Sequence, residues 1–243
     1  MPTALIIGAY SDIAVATAYE LARQNYDLQL ALRGAERMEE ISADLVIRHA
    51  INVQLLELDI LEMNTFNDFV TNLTPVPDVV ICAVGLLGDQ HRDQQNIIDE
   101  VLVMRTNFEG PACLLGKIAT VLIERGAGTI IGISSVAGER GRASNYIYGA
   151  SKAGFTAYLS GMRNRCFKHG VRVVTILPGF VDTKMTAGLN LPKKLTAQPS
   201  DVGKVIVKAL SRNSDVIYVK SVWAAIMTIV KGIPEKLFKR LTL

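Results

Sequence analysis

The chain has 243 residues, of which 49% are apolar and 20% charged, a balance that excludes disorder as a description of the whole. A formal net charge of +3, with no block of like charges, excludes a surface built to track a nucleic-acid backbone. Cys82, Cys113 and Cys166 form no CxxC pair and the three histidines show no ligand spacing, so neither a disulfide framework nor a metal site is expected, and a reducing cytoplasmic setting fits.

Short apolar runs at 3–7, 27–32, 53–58, 78–83, 129–134, 171–177 and 216–219 alternate with segments long enough for crossover helices, among them 13–24, 35–49, 62–72 and 148–168. Strands alternating with helices predict a parallel sheet covered on both faces. The near-continuous Val, Ile and Leu content of the runs agrees, because such strands are buried on both sides. No linker rich in Gly, Pro or Ser and no repeat divides the chain. The reading is a single α/β domain over 1–220 with an extension at 221–243. The first residues, MPTALIIGAY, lack the basic start and long apolar core of a secretory signal, and no run reaches the ~18 apolar residues of a membrane span.

The first run ends in IIGAYSDIAVATAYELA, a strand, turn and helix start where a dinucleotide fold sets pyrophosphate against a helix N-terminus. Gly8 permits the turn. The further glycines of a GxxxGxG turn are replaced by Asp12 and Ala14. Alanine still allows close helix packing, whereas the Asp12 carboxylate competes with a phosphate unless its side chain turns away. Arg33 ends the second strand, with Arg37 a turn further on. An arginine here suits a 2′-phosphate and hence NADP(H), where an acidic residue would suit NAD(H); a solvated strand-end arginine is the alternative. Asp59, at the tip of the third strand, is placed either to accept from an adenine amino group or simply to shape a turn.

Further on, Tyr148 lies four residues before Lys152 in YGASK, a spacing that puts phenol and ammonium on one helical face as a candidate acid–base pair. Tyr146, six residues before Lys152, is turned from that face and reads as a substrate-wall or packing residue. Arg140 and Arg142 of GERGRAS stand near the expected pocket and are candidates for a substrate phosphate, since guanidinium binds phosphate in two-pronged fashion. The stretch from Thr183 to Pro199, polar and broken by Gly188 and Pro192, has the length of a lid.

The order of Gly8, Asp59, Asn107 in RTNFEG, Ser135 in ISSVAG, Tyr148, Lys152 and PGFVDT at 178–183 resembles the short-chain dehydrogenase/reductase superfamily over nearly the whole chain. That resemblance implies a Rossmann fold, a doubly wound, seven-stranded parallel sheet, and reduction of a ketone by a nicotinamide cofactor. It implies Tyr148 as proton donor, Ser135 as hydrogen-bond donor to the carbonyl oxygen, Lys152 as the cation that acidifies Tyr148 and holds the nicotinamide ribose, and Asn107 as holder of a proton-relaying water. For the cofactor it adds Tyr10, Ser11 and Ile13 in the first turn, Ile60 beside Asp59, Ala83 and Gly85 after the fourth strand, and Pro178, Gly179, Val181 and Thr183 after the sixth. Where the family has NNAG this chain has CAVG, so Cys82 replaces a structural asparagine. VGLLGDQ, SSVAGERGRASNYIYGASKAG and PGFVDTKMTAGL resemble the subgroup of decaprenylphosphoryl-2-keto-pentose reductases, which act on a lipid-linked keto sugar in cell-wall biogenesis. The resemblance also implies a homodimer or homotetramer, built through the helices bearing Asn107 and Tyr148.

In the tail, an apolar stretch from Val222 to Val230 precedes Lys231, Lys236, Lys239 and Arg240. It is too short to span a bilayer. Peripheral contact with the inner face of a membrane, packing on a second subunit and covering of the chain's own core all remain open.

Overall fold

The computed structural model describes residues 1–241; the last two residues of the 221–243 extension lie outside the described residues. The chain alternates as expected: β1 (Thr3–Ile7), α1 (Asp12–Ala22), β2 (Asp27–Leu32), α2 (Glu39–His49), β3 (Val53–Glu57), α3 (Phe66–Thr71) and β4 (Val79–Cys82). There follow α4 (Gln90–Asp93), α5 (Ile97–Met104), α6 (Gly110–Arg125), β5 (Gly128–Ile133), α7 (Tyr146–Phe167), β6 (Val171–Pro178), α8 (Pro199–Ser211) and β7 (Val216–Val219). The tail forms α9 (Val222–Gly232) and α10 (Glu235–Phe238).

Local chemistry sets the boundaries. Ser11 caps α1 by accepting from Ala14 N at 3.1 Å, Pro199 opens α8 where its missing N–H costs nothing, and Gly126 ends α6 in the left-handed conformation. The strands form one seven-stranded sheet in the order β3-β2-β1-β4-β5-β6-β7, and every pairing is parallel. All five residues of β1 are buried, and successive ones feed opposite faces. Ala4 and Ile6 join the core beneath α1 and α8, while Leu5 and Ile7 join Leu114, Ile118, Phe155 and Leu159 of α6 and α7. This is the doubly wound Rossmann arrangement. Its strand order reverses between β1 and β4, and the crevice at their carboxyl ends is where such folds bind ligands.

A third, smaller cluster sits beyond that end of the sheet. Trp223 and Met227 of α9 pack on Val136 and Leu177, with Phe180, Leu195 and Tyr218 around them. Much of the tail's apolar side is thus turned inward, Phe238 included, and Lys231 is paired with Glu139. Ile229 and Leu237 face outward. Among the described residues no helix is long and apolar enough to cross a membrane.

Candidate active site

A cleft of about 720 Å³ opens at the reversal point. Its floor begins at Gly8, whose φ of +78° favours glycine; a side chain there would press on Val84 at 3.0 Å. The N-terminus of α1 points its first N–H groups into the cleft beside Tyr10, Ser11 and Ile13. Asp12 does turn away. Its Oδ2 accepts from Lys184 N at 2.7 Å and its Oδ1 lies 3.8 Å from Lys184 Nζ, so the carboxylate ties the 183–199 loop to the glycine turn and leaves the helix terminus open to an anion. Arg33 and Arg37 line the same end. Arg33 pairs loosely with Asp59 at 3.6 Å while three-quarters exposed, a contact too weak and too screened to hold it against an incoming phosphate. Arg37 stacks on Tyr10, 3.8 Å from the ring centre.

Every residue expected to bind a dinucleotide lines this one cleft: besides those above, Ile60, Ala83 and Gly85 on one wall, Pro178, Gly179, Val181 and Thr183 on the other, and Tyr148 with Lys152 at the far end. The donor set fits the group. It offers free helix N–H groups for a pyrophosphate, arginine for a 2′-phosphate and an apolar slot for a ring.

At the far end, Ser135 leaves β5 in extended conformation, its Oγ accepting from Ala137 N at 3.1 Å. Burial pushes the Tyr148 phenol above its usual pKa, opposed by a hydrogen bond with Ser135. Lys152 is almost wholly buried and donates from Nζ to Val84 O and Ile133 O, both at 3.2 Å. Burial pulls its pKa down to about 8. The sequence reading expected the ammonium to acidify Tyr148; instead the cost of burying a phenolate dominates, and Nζ, 5.9 Å from the Tyr148 ring centre, is held by two carbonyls. At neutral pH Tyr148 keeps its proton, the state a proton donor requires.

Three expected residues lie elsewhere. Asn107 is fully buried behind the cleft in a π-helical turn, Arg105–Glu109. Its amide accepts from Leu86 N at 3.0 Å and donates to Leu86 O and Val103 O at 2.7 and 2.9 Å. It therefore holds the strand exit, and its Oδ1 converges with Lys152 Nζ on Gly85, where a Cβ would lie 3.6 and 3.7 Å from the two atoms. Lys152 bonds Val84 O in the same stretch, and Cys82, standing where the family pattern has an asparagine, is buried with its thiol pushed up to about 11, so it stays neutral. Arg140 turns from the cleft to the tail, pairing with Glu235 at 2.6 Å and stacking over Phe238 at 4.2 Å, because the nearest carboxylate and aromatic face belong to α10. Tyr146 is largely exposed at the start of α7 and does not line the cleft, its position on the helix facing it outward.

Arg142 does line the cleft. The sequence reading missed Asn145, Lys184, Met185, Leu189 and Trp223, which line it too. Lys184 could have been suspected from its place after Thr183. Trp223, the chain's only tryptophan, comes from the tail and carries no local signal.

A family model described as short chain dehydrogenase matches residues 2–194. This chain belongs to that family. An uncharacterised oxidoreductase of Streptomyces coelicolor is 34% identical over 98% of this chain and 94% of its own. A Schizosaccharomyces pombe protein described as an NADP-dependent 3-hydroxy acid dehydrogenase is 27% identical over 88% of this chain and 89% of its own. Among solved structures, a short-chain dehydrogenase from Sphingobium yanoikuyae in complex with NADPH superposes with a TM-score of 0.83 at 21% identity, covering 97% of each chain. As a short-chain dehydrogenase this protein is an NAD(P)-dependent oxidoreductase working between C–OH and C=O.

Proposed function

We propose that this protein reduces a ketone to a secondary alcohol with NADPH, on a substrate that combines a bulky apolar part with a polar head, of which a polyprenylphosphoryl keto-pentose is one example. The observation that carries the reading is one cleft with an arginine-flanked helix N-terminus at one end and Ser135, Tyr148 and Lys152 at the other. Both named NADP(H) relatives above support the choice of cofactor.

Bound NADPH supplies the hydride, and the residues supply the rest. Ser135 and Tyr148 present two hydroxyls to one carbonyl oxygen and draw electron density onto it. As the C–H bond forms, Tyr148 passes its proton to that oxygen, completing the alcohol. Lys152 stabilises the phenolate left behind. Met185, Leu189 and Trp223 line the cleft and keep water from the exchange. In the same reading the chain self-associates: Ile97, Ile98, Val101 and Leu102 expose an apolar face of α5, next to the Asn107 turn.

Paired fluorescence titrations with NADPH and NADH, followed by turnover of a polyprenylphosphoryl keto-pentose and a neutral bulky ketone, test the proposal. NADPH should bind the more tightly, and Arg33→Ala should weaken it by roughly tenfold or more, the worth of a charge-assisted bond, without changing NADH. Equal affinity for both cofactors, unmoved by Arg33→Ala, would remove the NADP assignment.

The pH dependence has a defined sign. Below about 8, Lys152 carries its charge and can stabilise the phenolate. Above that pH it is neutral and the stabilisation is lost. The rate of reduction should therefore be level below pH 8 and fall above it, with the break absent in Lys152→Met. A profile flat to pH 10 in the unaltered enzyme would mean that the ammonium plays no part.

A further inference from the structure

Arg142 and Asn145 stand on the segment between Ser135 and Tyr148, and both line the cleft. The chemistry of each is unspent. Among the described residues the Arg142 guanidinium has no ion pair and no hydrogen bond, although it is half-buried. Neither nearby carboxylate pairs with it: Glu235 meets Arg140, and Glu139 meets Lys231 and the Tyr218 hydroxyl through Oε1 while its Oε2 is buried without a partner. Of the other cations along the cleft, Arg37 is partnered by Tyr10, Lys184 by Asp12 and Lys152 by two carbonyls, while Arg33, only loosely paired with Asp59, is three-quarters exposed to water. A guanidinium drawn out of water with no anion beside it is costly, and a ligand anion removes that cost.

Asn145 precedes the first residue of α7, where an asparagine ordinarily caps the helix. Here it makes no cap bond. Gln90 of α4 supplies the cap instead, its Oε1 accepting from Ile147 N at 3.1 Å. Asn145 Oδ1 is left sealed from solvent without a partner, in a position three residues, about one helical turn, before the Tyr148 phenol. Asn145 is itself part of the cleft wall, so a substrate in the cleft meets this residue.

We infer that Arg142 and Asn145 form a two-point subsite that selects hydroxyketones bearing an anionic group, phosphate or carboxylate, with Arg142 holding the anion and Asn145 accepting from a hydroxyl close to the carbonyl. The inference rests on the ketoreductase reading and names the substrate class for it.

The test uses the full chain and its Arg142→Gln, Asn145→Ala and Gln90→Ala variants with four ketones of similar size: a keto-pentose phosphate, a hydroxyketo carboxylate, a neutral hydroxyketone and a neutral ketone without hydroxyl. Arg142→Gln should raise KM for the two anionic compounds by about 10- to 100-fold and leave the neutral pair within about twofold; the larger loss identifies phosphate or carboxylate as the native anion. Asn145→Ala should lower kcat/KM for the hydroxyketones about tenfold and spare the simple ketone. Gln90→Ala should lower Tm without changing the order of preference. Loss that is equal for charged and neutral ketones, or no loss at all, overturns the subsite. If NADPH binds but none of the four is reduced, the ketoreductase reading has failed, and the subsite is judged by thermal shift with keto-pentose phosphate and NADP⁺. Stabilisation that disappears in Arg142→Gln upholds it, and stabilisation that is unchanged or absent overturns it.

Discussion

Tyr148→Phe is expected to lower kcat for ketone reduction by about 10²- to 10⁴-fold, the usual worth of a positioned general acid, while NADPH affinity stays within about twofold. The variant removes one oxygen from a site whose other parts keep their support. Lys152 is held by Val84 O and Ile133 O rather than by the phenol, and the glycine turn lies at the opposite end of the cleft, so of the groups expected to hold the cofactor only the one phenol oxygen is lost. Stopped-flow transfer of hydride from NADPH, set beside equilibrium titration of the same preparation, separates the two effects. Phenylalanine at 148 with unimpaired turnover would show that another group delivers the proton. A parallel fall in NADPH affinity would instead make Tyr148 a structural member of the cofactor site.

Gly179→Ala should cost about 3 kcal/mol and lower Tm by roughly 6–12 °C, taking the cost of overpacking a filled site and the slope for a chain of this size. A Cβ on Gly179 would stand 2.0 Å from the Trp223 ring, and the ring has little room to retreat. Its Nε1 donates to Leu195 O at 3.2 Å, and its other side meets Phe180 edge-on with centroids 5.3 Å apart. Something in the cluster must therefore move, and because Gly179 and Trp223 both line the cleft, activity should fall together with stability. The same substitution in a Trp223→Leu background should be nearly free, giving a coupling of about 2–3 kcal/mol between the two positions. Calorimetry of the four proteins measures it. If Gly179→Ala destabilises equally without the indole, backbone conformation and not the ring is what the glycine serves.

Residues whose roles depend on local order were legible in advance. The seven strands fall within a residue or two of the apolar runs, because the central strands are buried on both faces and so leave a nearly continuous apolar trace, while the edge strands β3 and β7, only partly buried, are still rich in Val, Leu and Ile. The spacing of Tyr148 and Lys152 predicted a shared helical face, since α7 carries both. Asp12 was read as a difficulty, and the resolution lay 172 residues away at Lys184. Arg140 and Arg142, two residues apart in one loop, have opposite fates because only Arg140 is within reach of Glu235 and Phe238. Asn107 is tied to both backbone groups of Leu86, a contact its sequence position did not announce, while its Oδ1 and Lys152 Nζ both approach Gly85.

The amino-acid order alone determined the parallel sheet, the glycine turn and the helical pairing of Tyr148 with Lys152, because each follows from periodicity or from conformational freedom within a few neighbouring residues. Only the tertiary structure decided that Trp223 walls the cleft, that Gln90 rather than Asn145 caps α7, and that burial keeps the Tyr148 proton in place against the nearby lysine. Those outcomes turn on which distant groups reach one another first and on how much water is excluded around them, quantities that exist only once the chain has folded.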